Sequence, residues 1–166
     1  MPRIGIDFDN TIAGYDHVFA SAAVELGLLG PDFTGSKKDI RDAIRRQPDG
    51  DEKWMRLQGH VYGARMAEAC LIDGVDDFLR SCRKMGVEVF IVSHKTQFGH
   101  FDPQRIDLRE AARTWMATHG FFETDGFGID PENVFFEPTQ AAKIERIRSI
   151  NCAHFIDDLE ECLRNP

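Results

Sequence analysis

Short apolar runs alternate along this chain with longer stretches of helical period. "RIGIDF", at the start, is apolar and carries β-branched residues, which predicts a first strand. "VEVFIVSHK" is apolar without polar alternation, as expected of a strand covered on both faces. "ENVFFE" and "CAHFID" predict a third and a fourth strand.

Between them lie helical patterns with recognisable ends. "SKKDIRDAIRRQ" has Ser36 placed as an N-cap, and "VDDFLRSCRKMG" closes at Gly86. "FDPQRIDLREAARTWMATHG" has Asp102 as an expected N-cap, Pro103 at the first helical position and Gly120 as its stop. "TQAAKIERIRSIN" predicts a last helix before the fourth strand.

The order strand–helix–strand–helix–strand–helix–strand predicts an α/β fold, a three-layer Rossmann-like parallel sheet. One connection is out of proportion. Residues 15–72 separate the first strand from the next core helix, and "YDHVFASAAVELGLL", "SKKDIRDAIRRQ" and "DEKWMRLQGHVYGARMAEACL" each predict a helix within it. The expectation is an inserted small α-helical cap over 15–72, with 1–14 and 73–166 forming the core.

Composition narrows the class. The 166 residues are 42% hydrophobic, enough for a real core and against disorder. With 20 basic and 28 acidic side chains the net charge is −8, which leaves no footprint for a nucleic-acid polymer. No apolar stretch is long enough to cross a bilayer, and "MPRIGID" lacks the pattern of a secretory signal. Cys70, Cys82, Cys152 and Cys162 show no CxxC spacing and read as reduced structural thiols. The expected setting is cytoplasmic, without a membrane partner.

In open parallel sheets ligands bind at the carboxyl ends of the strands. The first strand ends in Asp7, Asp9 and Thr11, and the second in Ser93, His94 and Lys95. The third is followed by a helix with Lys143 in its first turn, and the fourth ends in Asp157 and Asp158. Carboxylates on two strands can hold a hard cation such as Mg²⁺, and a hydroxyl with an ammonium can hold phosphate oxygens. Singly, each has an ordinary explanation: an Asx turn, a loop cap, a solvated lysine, or acids favoured by a helix dipole. Their joint placement at four strand ends is what points to a site.

These four elements resemble the signature of the haloacid dehalogenase-like superfamily. "DFDNT" matches its Asp-x-Asp-x-Thr element, "FIVSHK" its apolar strand ending in Ser or Thr, Lys143 its isolated basic residue, and "FIDDLEE" its paired acids. The match runs in order over nearly the whole chain. It implies a Mg²⁺-dependent phosphohydrolase with Asp7 as nucleophile, forming an aspartyl-phosphate, and Asp9 as general acid and base. Mg²⁺ would be bound by Asp7, the main-chain carbonyl of Asp9, and Asp157 or Asp158, with the choice between these two open. Ser93, Lys143 and main-chain N–H groups near Phe8 and Asn10 would hold the phosphoryl oxygens, with Thr11 orienting local hydrogen bonds. His94 and Lys95 are candidate contacts to phosphate or substrate.

The expected substrate is a small phosphorylated metabolite, either a sugar phosphate or a nucleotide. A phosphomutase of the same fold and a non-catalytic phosphate-binding or assembly module are the alternatives; the intact Asp9 favours hydrolysis. Superfamily members usually continue past the paired acids, whereas this sequence ends at "LEECLRNP". The sheet edge beside the fourth strand is then less covered, so pairing into a homodimer is also an expectation.

Overall fold

"RIGI" forms strand β1 (Arg3–Ile6), the strand that organises the sheet. The structure is a computed structural model and describes residues 1–160; Cys162 and most of the tail "LEECLRNP", on which the edge-pairing expectation rests, lie outside the described residues. The remaining elements in chain order are β2 (Ala13–Gly14), α1 (Asp16–Glu25), α2 (Lys37–Arg45), α3 (Gly50–Tyr62), β3 (Cys70–Leu71), α4 (Val75–Lys84), β4 (Glu88–His94), α5 (Leu108–Thr118), β5 (Val134–Glu137), α6 (Gln140–Ile150) and β6 (His154–Ile156). Short 3₁₀ turns occupy Met66–Glu68 and Pro131–Asn133.

β1, β4, β5 and β6 form one parallel sheet in the order β5-β4-β1-β6. This is the α/β class and parallel sheet that the patterning predicts. In the register, Ile6 lies opposite Ile91 on one side and Ile156 on the other. The residues that follow therefore emerge at one end of the sheet. Gly5 is required where it stands, because a Cβ there would come within 2.4 Å of the Phe155 ring on β6.

The chain divides into two units. The first holds Met1–Gly14, Cys70–Thr96 and the chain from Arg113 onward. Its core packs Ile6, Ile91, Val92 and Val134 of the sheet with Leu79 of α4 and Trp115 and Met116 of α5. A two-residue antiparallel ribbon, β2 with β3, joins the points where the chain leaves this unit and re-enters it.

The second unit holds Tyr15–Ala69 and Gln97–Ala112. Val18, Phe19 and Ala22 of α1, Ile40 and Ile44 of α2, and Trp54, Leu57 and Val61 of α3 are buried in it. The rings of Phe19 and Trp54 stack at 5.2 Å, and Tyr15 and Tyr62 meet edge to face. Trp54 and Met66 are thus packing residues. Gln97–Ala112, which the patterning assigns to the core, belongs here instead. Gly59 of α3 and Gly99 approach so closely that a Cβ on Gly99 would lie 2.7 Å from the Gly59 Cα.

Two helices differ from expectation. The long pattern over residues 51–71 forms a helix only to Tyr62, since Gly59 and Gly63 weaken its end and the chain turns at Gly63. The pattern after Asp102 is not helical until Leu108. The Asp102 carboxylate accepts from the N–H groups of Gln104 and Ile106, closing local turns. Asp107 supplies the cap, accepting from the N–H groups of Arg109 and Glu110. Ser36 caps α2 as expected, in a reciprocal capping box with Asp39.

Among the described residues no helix is long and apolar enough to cross a membrane. Cys70, Cys82 and Cys152 are free thiols.

Candidate active site

Asp7 follows directly on β1, and its N–H donates to the Ile156 carbonyl of β6 at 2.8 Å. The carboxylate is almost wholly buried. Phe8 turns the other way and is fully buried, with its ring edge to face against Trp115 and Phe136. The chain then folds back sharply. Asn10 adopts a left-handed conformation (φ 63°), which asparagine tolerates, and its N–H donates to the Ala13 carbonyl at 2.8 Å. The Phe8 carbonyl accepts from the N–H groups of Ile12 and Ala13. The Asn10 N–H assigned to phosphate is therefore engaged within this turn. Thr11 points its hydroxyl at Asp7 Oδ2, 3.4 Å away.

Lys143 reaches Asp7 from α6. Thr139 caps that helix, its hydroxyl accepting from the Ala142 N–H at 3.1 Å, and this fixes the turn that carries Lys143. The ammonium is fully buried and donates to Asp7 Oδ1 and Asp157 Oδ2, each at 2.7 Å. Asp157 is the residue after Ile156, as Asp7 is the residue after Ile6, so sheet register sets the two acids side by side. Asp157 Oδ1 accepts from the Leu159 N–H at 3.0 Å.

Ligand atoms of Asp7, Asp157 and Asp158 all lie within 4.8 Å of one another. Three carboxylates at this spacing are the oxygen donor set that a hard divalent cation takes, so these residues fit Mg²⁺. Both members of the paired acid reach this cluster.

The electrostatics follow from burial. Loss of water pushes the Asp7 carboxyl up to about 6, although Lys143 pulls the other way; the charges of Asp9 and Asp157 add to the rise. For Lys143 burial works against the charged form, but Asp7 and Asp157 outweigh it and the ammonium titrates above the ordinary lysine value. Without a cation, the site holds more negative charge than its lysines offset.

Ser93 is buried near the end of β4, beside Phe136 of β5. Its strand neighbours β1, so Ser93 and Asp7 emerge at the same end of the sheet. His94 is exposed, its Nε2 lying 3.1 Å from the Pro138 carbonyl oxygen. Lys95 is buried and paired with Asp9, with its Nζ 2.9 Å from Asp9 Oδ2. That pairing is the part of the site that sequence reasoning missed, because "SHK" after a strand gives no sign of where the lysine ammonium goes.

No protein-family model matches the chain, and no curated protein matches it. Solved structures do. A haloacid dehalogenase-like family hydrolase from Streptococcus pneumoniae superposes with a TM-score of 0.58 at 18% identity, over 96% of this chain and 77% of its own. A HAD-superfamily hydrolase from Ehrlichia chaffeensis superposes with a TM-score of 0.54 at 14% identity, over 99% of this chain and 83% of its own. On these superpositions, with the sheet order and strand-end residues above, the chain has the haloacid dehalogenase-like fold.

Proposed function

We propose that the protein is a Mg²⁺-dependent phosphohydrolase acting on a small phosphate monoester through an aspartyl-phosphate. The observation that carries this reading is the buried Asp7 carboxylate, which Lys143 bridges to Asp157 within a three-carboxylate cluster. A carboxylate held anionic where water is scarce has a nucleophile's environment, and the lysine beside it suits a phosphoryl oxygen.

The carboxylates of Asp7, Asp157 and Asp158 and the Asp9 main-chain carbonyl would hold Mg²⁺, which when bound supplies positive charge against phosphate and carboxylate. Asp7 attacks phosphorus as the ester bond breaks, giving the aspartyl-phosphate. Asp9 gives a proton to the departing ester oxygen, so an alcohol leaves. It then takes a proton from the water that attacks phosphorus, which releases inorganic phosphate and restores Asp7. Ser93 and the third N–H of Lys143 hold equatorial phosphoryl oxygens while charge builds on them.

Small sugar phosphates and nucleotides are the substrate classes to test first. The experiment is turnover of p-nitrophenyl phosphate and a metabolite panel, with and without Mg²⁺, for the wild type and Asp7→Asn. Metal-dependent turnover lost in the variant supports the reading; turnover that survives the substitution or chelation contradicts it.

A further inference from the structure

Among the described residues, the charged side chains buried at this site are those of Asp7, Asp157, Lys143 and Lys95, and the mechanism above gives no role to Lys95. A buried ammonium is costly unless a partner offsets the lost hydration, so its position carries information. Lys95 Nζ straddles one carboxylate, 2.9 Å from Asp9 Oδ2 and 3.1 Å from Oδ1. It also lies 5.8 Å from the centre of the Phe8 ring.

The residue is held at both ends. Its N–H donates to the Glu137 carbonyl at 3.0 Å, continuing the β4–β5 ladder one step past the strand. Its side chain is 3% exposed and that of Asp9 17%. The arrangement therefore differs from a surface lysine waiting for substrate.

Asp7 and Asp9 are two residues apart, and both carboxylates lie at the end of β1. Each aspartate has its own buried lysine: Lys143 on Asp7, Lys95 on Asp9. An aspartate side chain has only two torsions to fix. An ammonium shared between both oxygens fixes them.

We propose that Lys95 is a positioning residue for Asp9, holding its carboxylate in the orientation from which it exchanges protons with the leaving oxygen and then with water. This rests on the phosphohydrolase reading. Lys95 touches Asp9 and acts on the reaction through it.

The test compares wild type, Lys95→Met, Asp9→Asn and the double variant, in a single turnover with excess enzyme. One substrate is β-glycerophosphate, whose alkoxide leaves poorly without a proton. The other is 2,4-dinitrophenyl phosphate, whose leaving group needs almost none. Lys95→Met should slow alcohol release from the alkyl ester by about ten- to a hundredfold with KM little changed, a cost typical of a misplaced catalytic group. Release of dinitrophenolate should change by less than about threefold, since that step scarcely uses general acid. In the Asp9→Asn background the lysine substitution should add almost nothing to the loss.

Equal losses on both substrates, or losses that multiply in the double variant, overturn the proposal. If Lys95→Met does not fold, Lys95→Gln, which keeps a donor without the charge, takes its place. A crystal structure of the folded variant gives a readout free of turnover. An Asp9 carboxylate rotated from its wild-type orientation supports the assignment, and an unmoved one overturns it. Failure of the phosphohydrolase reading looks different: dinitrophenolate release is absent in the wild type, or unchanged by Asp7→Asn.

Discussion

The carboxyl end of the parallel sheet and the core of the helical unit bury opposite kinds of side chain. At the carboxyl end of the parallel sheet, Asp7, Ser93, Lys95 and Lys143 are buried together. The helical unit buries Phe19, Trp54, Leu57, Ile40 and Ile44, and places its salt bridges, such as Arg65–Glu68 and Arg56–Glu52, towards solvent. The helical core is arranged for stability, since every buried ring adds dispersion and removes apolar surface from water. The sheet end works against stability, since charges are held there without water. The contrast teaches that substitutions in the two regions should act on different observables.

The largest effect should come from the sheet end. Asp7→Asn should lower turnover by at least about a thousandfold while leaving the fold intact. An assay paired with far-UV circular dichroism checks both halves, and a variant that is inactive because it is unfolded breaks the comparison. In the helical unit Trp54→Ala should do the reverse. Emptying the site stacked on Phe19 should cost about 3–5 kcal/mol of unfolding free energy, read by urea denaturation.

The next effect sharpens the claim that Asp7 is held at a cost. Its carboxyl titrates near 6 in the folded protein against 3.8 for an ordinary aspartate. The folded pKa is raised, so the favourable contribution is complete below pH 3.8 and fades as pH climbs through 6. In chelator, the stability advantage of Asp7→Asn over wild type should therefore widen across that window by on the order of 3 kcal/mol. Saturating Mg²⁺ should narrow it at neutral pH, because a cation bound only to the native state stabilises the wild type. A pH-independent difference would contradict the burial argument. The smallest effect belongs to the helical unit: Ser36→Ala removes the α2 cap and should cost about 1 kcal/mol with turnover unchanged.

Much of this contrast was legible in the sequence, for physical reasons that differ by residue. Strand ends were readable because β1, β4 and β6 lie in short apolar runs whose polar residues mark the end of the sheet. Asp7, Ser93 and Asp157 could be placed there without knowing the register. Ser36 and Gly86 were readable because capping is local chemistry. Asp102 was misread for the same reason: two aspartates, five residues apart, could each cap the helix, and it is Asp107 that accepts from the first-turn N–H groups. The close approach of Gly59 to Gly99 and the Lys95–Asp9 pair join residues far apart in the chain, 40 and 86 positions respectively. No local pattern reports such contacts.

The central claim is that Asp7 is the phosphoryl acceptor, and a crystal structure of the wild type grown with Mg²⁺ and beryllofluoride tests it most directly. The account predicts a beryllium–oxygen bond to Asp7, fluorides on Ser93 and Lys143, and the cation against Asp157 or Asp158. Beryllofluoride bound to any other side chain, or Asp7 left bare at saturating concentration, would contradict it.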